Sequence, residues 1–323
     1  MTMNNDFPTA PPRGEARESA WERKLIEQLA MAAVTEQRRA RRWNIFFKAL
    51  FFLYILLLLM PVLLDKWDTG SMSGGPHTAL IELEGEIMAG SEASADNVVT
   101  GLREALKDKR TKGVILRINS PGGSPVQAGY INDEIYRLRN EHPNIPVYVV
   151  ITDMCASGGY YVAAAANKIY ADKASLVGSI GVLMDGFGFV GSMDKLGIER
   201  RMLAAGEHKG FLDPFSPLKE GDVEHIRKVL GEVHKQFIDT VKKGRGSRLK
   251  DNPELFSGLV WTGEQALELG LVDAMGSSSF VAREVVGAES IVDFTHREDY
   301  LDRFAKRLGT TVASLLTSPL QLR

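Results

Sequence analysis

The chain has 323 residues, of which 44% are hydrophobic and 25% are charged, and its net charge at pH 7 is -2. This composition is typical of a globular protein with a sizeable core, and the small net charge argues against nucleic acid as a partner. Cys155 is the only cysteine, which excludes an intramolecular disulfide and a cysteine metal cluster.

The first predicted element is a membrane anchor over residues 43–64. This stretch is apolar except for Asn44 and Lys48, and about 20 such residues at ~1.5 Å rise span a hydrocarbon layer. Four arginines directly before it, within 38–42, orient the chain by the positive-inside rule. We therefore expect one uncleaved transmembrane signal anchor in the lipid of the inner (plasma) membrane; a cleaved signal peptide and a buried core helix are the alternatives.

This orientation divides the rest of the N-terminal region. Residues 1–42 are predicted to be a cytoplasmic, largely disordered basic head, with helical spacing from 21 to 42. Residues 65–77 are predicted to be a flexible tether, rich in glycine and serine. Everything after the anchor is expected on the periplasmic or other extracytoplasmic side.

The globular part is predicted to span residues 78–290 as one α/β domain. Strands and helices alternate along it, and Ile81, Val114 and Val147 lie 33 residues apart in turn, which favours stacked strand–helix units. Residues 291–323 are predicted to be a C-terminal helix, at 298–308, and a tail. The predicted strands are 79–83, 113–119, 147–152 and 168–171, with an extended segment at 176–183, and the predicted helices are 95–106, 126–138, 162–166 and 220–243.

Ser157 is the first candidate catalytic residue, within Ala156-Ser157-Gly158-Gly159-Tyr160-Tyr161. The two glycines let a substrate backbone approach, and the helix that follows directs free N–H groups and a positive dipole end at the serine. The amide of Gly158 is a natural oxyanion donor, because it directly follows the nucleophile. A second donor is predicted in the turn Asn119-Ser120-Pro121-Gly122-Gly123, although that motif alone indicates only a turn.

A serine nucleophile needs a base, and the sequence offers two candidates in Gly206-Glu207-His208-Lys209-Gly210. Lysine accepts a proton only when neutral, a form that burial among apolar groups favours. A Ser–Lys dyad through Lys209 is the main hypothesis, and a Ser–His–Asp triad through His208 is the alternative. In Gly178-Ser179-Ile180-Gly181-Val182, the hydroxyl of Ser179 is a candidate for orienting the base.

These motifs, in this order and spacing, resemble the signal peptide peptidase A family of membrane-bound serine peptidases over about residues 78–275. The resemblance implies a ClpP/crotonase-like spiral of strand–helix units, with Ser157 as nucleophile and Lys209 as general base. It also implies that Ser179 hydrogen-bonds the lysine amine and that Gly158 and Gly123 form the oxyanion hole. The chain is similar to the short, single-domain class, whose members form homo-oligomeric rings with serine and lysine from neighbouring protomers.

The predicted function is accordingly a membrane-anchored serine endopeptidase that degrades cleaved signal peptides or similar apolar peptides, without a metal or cofactor. Three alternatives remain: a protease of the same fold that cuts a membrane protein partner, a crotonase-type acyl-CoA enzyme, and an inactive scaffold. One departure from the family pattern is Gly210, which follows Lys209 where an acidic residue is common.

Overall fold

The computed structural model describes residues 13–68 and 75–297. They belong to two compact units, which divide at residue 72. In the first unit a single helix, α1, spans Arg13–Asp68. It includes residues 13–20, which the sequence predicted to be disordered; no glycine occurs between Gly14 and Gly70, and most of these residues have high helix propensity.

The predicted anchor, residues 43–64, lies within α1. Within the described part of the chain, no helix has both the length and the apolar character that crossing a membrane requires. The expectation of a membrane-spanning helix is therefore not met there. The side chains of residues 58–59 and 61–64 lie outside the described residues.

The second unit is a mixed α/β structure around an eight-stranded sheet, which confirms the predicted α/β class. The strand order is β6-β5-β3-β2-β1-β8, and β4 pairs with both β3 and β7. All pairings are parallel except that of β5 with β6. The strands are β1 (His77–Glu84), β2 (Thr111–Ser120), β3 (Val147–Ala156), β4 (Lys168–Ala171), β5 (Leu176–Gly178), β6 (Val260–Thr262), β7 (Ala274–Met275) and β8 (Ile291–Asp293).

The helices predicted at 95–106, 126–138 and 220–243 are present in the structure. The helix predicted at 162–166 begins earlier, at Gly158 directly after the candidate nucleophile, and ends at Ala163. Three short helices were not predicted: Val190–Leu196, Gly263–Glu268 and Ser278–Phe280. The helix predicted at 298–308 lies outside the described residues. The helices are α2 (Ala95–Lys107), α3 (Pro125–Glu141), α4 (Gly158–Ala163), α5 (Val190–Leu196), α6 (Glu220–Arg245), α7 (Gly263–Glu268) and α8 (Ser278–Phe280), which continues as a π-helical segment, Val281–Val286.

Both faces of the central strands are buried, as parallel strands require. Because successive side chains point to opposite faces, Leu116 and Ile118 of β2 contribute to the main core while Ile115 contributes to a smaller one. The main core also contains buried residues of α2, α3, α4 and α6, and the smaller one contains Val281 and Ala282.

Strand β3 has different neighbours along its two halves. Its first half, Tyr148–Val150, pairs with β4, and its last residues, Met154–Ala156, pair with β5. The β2–β3 register shifts between Ile118 and Ser120, which accompanies this change of partner. The strand therefore reaches Ser157 with a hydrogen-bonded neighbour on each side.

The C-terminal end of α6 supports α4 through a close contact and a buried ion pair. A Cβ on Gly244 would lie 1.9 Å from the carbonyl oxygen of Ala164, so only glycine fits there. Arg245, 2% exposed, donates to both carboxylate oxygens of Asp273 and to the carbonyl of Gly270. Tyr160 of α4 donates to the carbonyl of Leu271 in the same turn, at 2.7 Å.

The Gly244 contact predicts a difference between two glycines of α6. Gly244→Ala should lower the free energy of unfolding by about 2–3 kcal/mol, because the backbone of Ala164 has to move. Gly231→Ala, at a position where nothing lies within 4 Å of the new Cβ, should raise it by about 0.5–1 kcal/mol. Urea unfolding of the full chain, followed by circular dichroism, measures both; equal effects would contradict the contact.

Candidate active site

The candidate site lies where three parallel strands end. The carboxyl ends of β2, β3 and β5 lead directly into Pro121-Gly122-Gly123, Ser157 and Ser179, respectively. Because parallel strands end at the same edge of a sheet, three motifs far apart in sequence meet there. This edge opens into a cleft of about 650 Å³.

Four of the five predicted site residues line this cleft: Ser157, Gly158, Gly123 and Ser179. The fifth, Lys209, is not among its lining residues. The other residues that line it are Glu86, Pro121, Pro125, Tyr161, Gly181, Val182, Leu183, Val233, Gln236, Phe237, Ser257 and Gly258.

Ser157 has a backbone conformation that is rare for a residue with a side chain. Its φ is 50° and its ψ is -123°, a conformation that costs energy and has to be held by its surroundings. Its N–H donates to the carbonyl of Gly178 at 2.9 Å, and its carbonyl accepts from the N–H of Tyr161 at 3.0 Å. The side chain makes no capping hydrogen bond to α4, so the helix does not compete for the hydroxyl.

A competing nucleophile lies two residues earlier but is chemically unsuited. Cys155 is fully buried in the main core. Burial raises the pKa of its thiol far above the usual range, which keeps the sulfur protonated and unreactive. Of these two neighbouring groups, only the partly exposed Ser157 lines the cleft.

The glycines beside Ser157 allow three stretches of backbone to approach closely. A Cβ on Gly122 would lie 2.7 Å from the amide nitrogen of Gly158, and one on Gly158 would lie 3.3 Å from the amide nitrogen of Gly123. Gly123 has a φ of 143°, and a Cβ there would lie 2.3 Å from the carbonyl oxygen of Ile87. The arrangement places the amides of Gly123 and Gly158 close together beside Ser157, as an oxyanion hole would require.

Ser179 is also held in a left-handed conformation, with a φ of 51°. Its N–H donates to the carbonyl of Leu259 at 2.8 Å, and its carbonyl accepts from the N–H of Gly181 at 2.9 Å. Next to it, the carbonyl of Ile180 lies 3.1 Å from Nε2 of His234 in α6. The sequence placed His234 along the long helix without linking it to the site, because helix periodicity does not show which loop a helix contacts.

Lys209 lies in an exposed turn and not in the apolar surroundings that the sequence suggested. Its N–H donates to the carbonyl of Gly206 at 3.1 Å, and the N–H of Phe211 donates to the carbonyl of His208 at 3.1 Å. One copy of the chain thus brings Ser157, the paired glycine amides and Ser179 into one cleft, but does not bring Lys209 there.

The alternative base, His208, is next to a carboxylate but not in the cleft with the serine. Its Nδ1 lies 3.5 Å from Oδ1 of Asp222, whose side chain is 8% exposed. These two residues line a separate cavity with Phe211, Gly221 and His225. In a triad through His208, the imidazole and the acid, Asp222, would therefore line one cavity, whereas Ser157 lines another.

Comparison with known proteins gives a family match. The model of peptidase family S49 matches residues 139–289, which include Ser157, Ser179 and Lys209. An Enterococcus faecium protein provisionally named signal peptide peptidase SppA is 30% identical over 233 residues, which cover 71% of this chain and 67% of that protein. The chloroplastic serine protease SPPA of Arabidopsis thaliana is 32% identical over 223 residues, which cover 66% of this chain and 32% of that protein.

Another similar protein is named for a different activity. The Na⁺/H⁺ antiporter NhaA of Brucella abortus is 43% identical over 213 residues, which cover 64% of this chain. The match covers only 29% of that protein's length, so the likeness does not extend to most of it. The family model and the Enterococcus faecium relative, which is matched over most of its length, confirm the resemblance of the motifs: the chain belongs to peptidase family S49 of serine peptidases.

Proposed function

We propose that the chain is a serine endopeptidase that uses a Ser157–Lys209 dyad. The observation that carries the proposal is the cleft itself, in which a strained serine lies beside two neighbouring glycine amides. Ser157 is the nucleophile, Gly158 and Gly123 donate to the oxyanion, and Ser179 orients the lysine amine. The sheet order and the shared strand β3 support a ClpP/crotonase-like arrangement of the peptidase domain, residues 78–290.

In this mechanism neutral Lys209 takes the proton from Ser157 Oγ, which attacks the carbonyl carbon of a peptide bond. The negative charge that develops on the carbonyl oxygen is stabilised by the amides of Gly158 and Gly123. The C–N bond then breaks, the leaving amine takes the proton from Lys209, and an acyl-enzyme remains. Water, deprotonated by the same lysine, attacks the ester, releases the acid and restores the serine.

Lys209 is proposed to reach the cleft of a neighbouring copy in a ring. Two observations support this: Lys209 does not line the cleft of its own chain, and the segment that carries it, residues 182–218, exposes many large apolar side chains. Phe187 is 82% exposed and Leu203 is 100% exposed. Apolar surface of this kind marks a protein–protein contact.

The substrate class and location are proposed from the sequence and the relatives. The cleft has an apolar side formed by Val182, Val233 and Phe237, which fits apolar peptides such as remnants of signal peptides. Residues 43–64 are proposed to anchor the chain in the inner (plasma) membrane, with residues 1–42 in the cytoplasm and the peptidase domain outside it. The uncharged run 49–64 and the arginines before it support this.

Labelling with a fluorophosphonate, which reacts only with an activated serine, tests the dyad. Ser157→Ala should abolish labelling because the reacting oxygen is gone, and Lys209→Ala should slow it by about a thousandfold or more. Lys107→Ala, an exposed lysine on α2, is the matched control and should label like the wild type. Labelling that survives Lys209→Ala but is lost in His208→Ala would replace the dyad with a histidine mechanism.

Mixed assemblies test whether the dyad is shared between copies. When Ser157→Ala and Lys209→Ala chains are co-expressed, some neighbouring pairs combine an intact serine with an intact lysine. Random mixing at equal amounts should restore about a quarter of the wild-type labelling. Each variant expressed alone is the control. Mixed assemblies as inactive as the single variants would show that both residues act within one copy.

Membrane fractionation tests the anchor. The full chain should remain in the membrane pellet after alkaline carbonate and be released by detergent, because an inserted helix is held by the hydrophobic effect. Deletion of residues 43–64 should release the chain into the soluble fraction. Release of the intact chain by carbonate alone would contradict an inserted anchor.

A further inference from the structure

The cleft contains one charged side chain among the described residues that line it, Glu86. The remaining lining residues are glycines, prolines, serines, one glutamine, and aliphatic or aromatic residues. Glu86 is exposed, and it lies in the loop that follows β1, on the same rim as Gly123. A negative charge at this position attracts basic side chains of a peptide and repels acidic ones, so it affects which peptides bind in the cleft.

The backbone on both sides of Glu86 is fixed to the oxyanion-hole turn. Before it, the N–H of Gly85 donates to the carbonyl of Asn119 at 2.9 Å. After it, the N–H of Ile87 donates to the carbonyl of Gly122 at 2.8 Å, and the carbonyl of Ile87 accepts from Ser124 at 2.7 Å. Ile87 also forms a parallel bridge with Gly123. The carboxylate therefore extends from a defined point of the rim.

Within the described chain, the Glu86 carboxylate has no ion pair or hydrogen bond. Some acidic groups of this unit, in contrast, have basic partners: Glu82 pairs with Arg117, and Glu134 pairs with Arg103 and Arg137. An uncompensated charge at the mouth of a cleft with apolar walls raises the local concentration of oppositely charged groups. Glu86 thus brings to the cleft a negative charge that pairs with no described side chain and that no other charged lining residue accompanies.

Another part of the cleft wall is apolar and partly aromatic. Tyr161 and Phe237 lie with ring centroids 5.2 Å apart, and Val182, Leu183 and Val233 extend this wall. The cleft consequently combines an apolar surface with a single carboxylate. A peptide that satisfies both has apolar residues next to a lysine or arginine.

We propose that Glu86 is a specificity-determining residue that selects peptides in which a basic residue flanks an apolar stretch. This inference rests on the proposed peptidase function and deepens it by naming a substrate class. Secretory signal peptides have this chemistry, because a positively charged region precedes their apolar region. Acidic peptides, by contrast, are repelled at the same position.

The test uses the full chain as wild type, Glu86→Gln and Glu86→Lys, with fluorogenic peptides that share an apolar core. Lysine, glutamine or glutamate is placed in turn at each position around the cleaved bond, and kcat/KM is measured. Rates are divided by the fraction of sites that a fluorophosphonate titrates, so that misfolded protein does not contribute. Glu104→Gln, the same charge change on the exposed side of α2, is the matched control.

At one position the wild type should prefer lysine over glutamine by about fivefold, the scale that exposed ion pairs reach. The preference should disappear in Glu86→Gln, reverse toward glutamate in Glu86→Lys and persist in Glu104→Gln. It should also weaken between about 0.02 M and about 0.5 M NaCl, because salt screens exposed charges.

Two results would overturn the inference while leaving the peptidase function intact. The first is a lysine preference that persists in Glu86→Gln, and the second is an active wild type without any charge preference. A uniform loss of rate for all three peptide series in Glu86→Gln would also reject selectivity, since a structural role affects all peptides alike. A wild type that neither labels nor cleaves would overturn the peptidase proposal and the selectivity together.

Discussion

The parallel alignment of β2, β3 and β5 is the constraint on which the site depends. Each of the three strands ends in a turn that carries one part of the site, and hydrogen bonding between the strands brings these turns to one edge. Near its end, strand β3 pairs with β2 on one side and with β5 on the other, so the backbone before Ser157 is held on both sides. A break in this register would separate the serine from both glycine amides.

The second feature is the ion pair between Arg245 and Asp273, which lies close to the helix that follows Ser157. Burial alone would raise the pKa of the Asp273 carboxyl. Hydrogen bonds from Arg245 and from the amide of Ile169, together with the nearby charge of Arg248, have the larger effect and hold this pKa below its usual value. At pH values above the pKa that Asp273 has in the unfolded chain, the carboxylate therefore contributes fully to the free energy of unfolding. This contribution is lost as the pH falls through the lower pKa that Asp273 has in the folded protein. Tyr160, three residues after Ser157, donates to the same turn. The ion pair thus supports the turn to which the helix after Ser157 is hydrogen-bonded.

Local patterns in the sequence predicted most of the sheet and the position of the serine. Apolar runs located β1 to β4, because strands depend on neighbouring residues. The glycine-rich motifs pointed to Ser157, Gly158 and Gly123, and the structure brings these three residues into one cleft. Contacts between distant elements were not predictable. The ring of His234 in α6 contacts the carbonyl of Ile180, and the hydrogen bond from Ile87 to Gly122 holds Glu86 at the rim of the cleft. The burial suggested for Lys209 was inferred from neighbouring apolar residues, and in the single chain those neighbours do not cover it. The roles of Ser157 and Lys209 stay predictions until labelling tests them.

The left-handed backbone of Ser157 implies a conflict between folding and reactivity at this position. Glycine adopts a φ of 50° without steric cost, whereas any residue with a Cβ does not. Folding stability alone would therefore favour glycine here, and the proposed catalytic role of the hydroxyl would account for the presence of serine. A relative that loses the activity could replace this serine with glycine and gain stability. The residue at this position in a relative therefore indicates whether that relative has kept the chemistry.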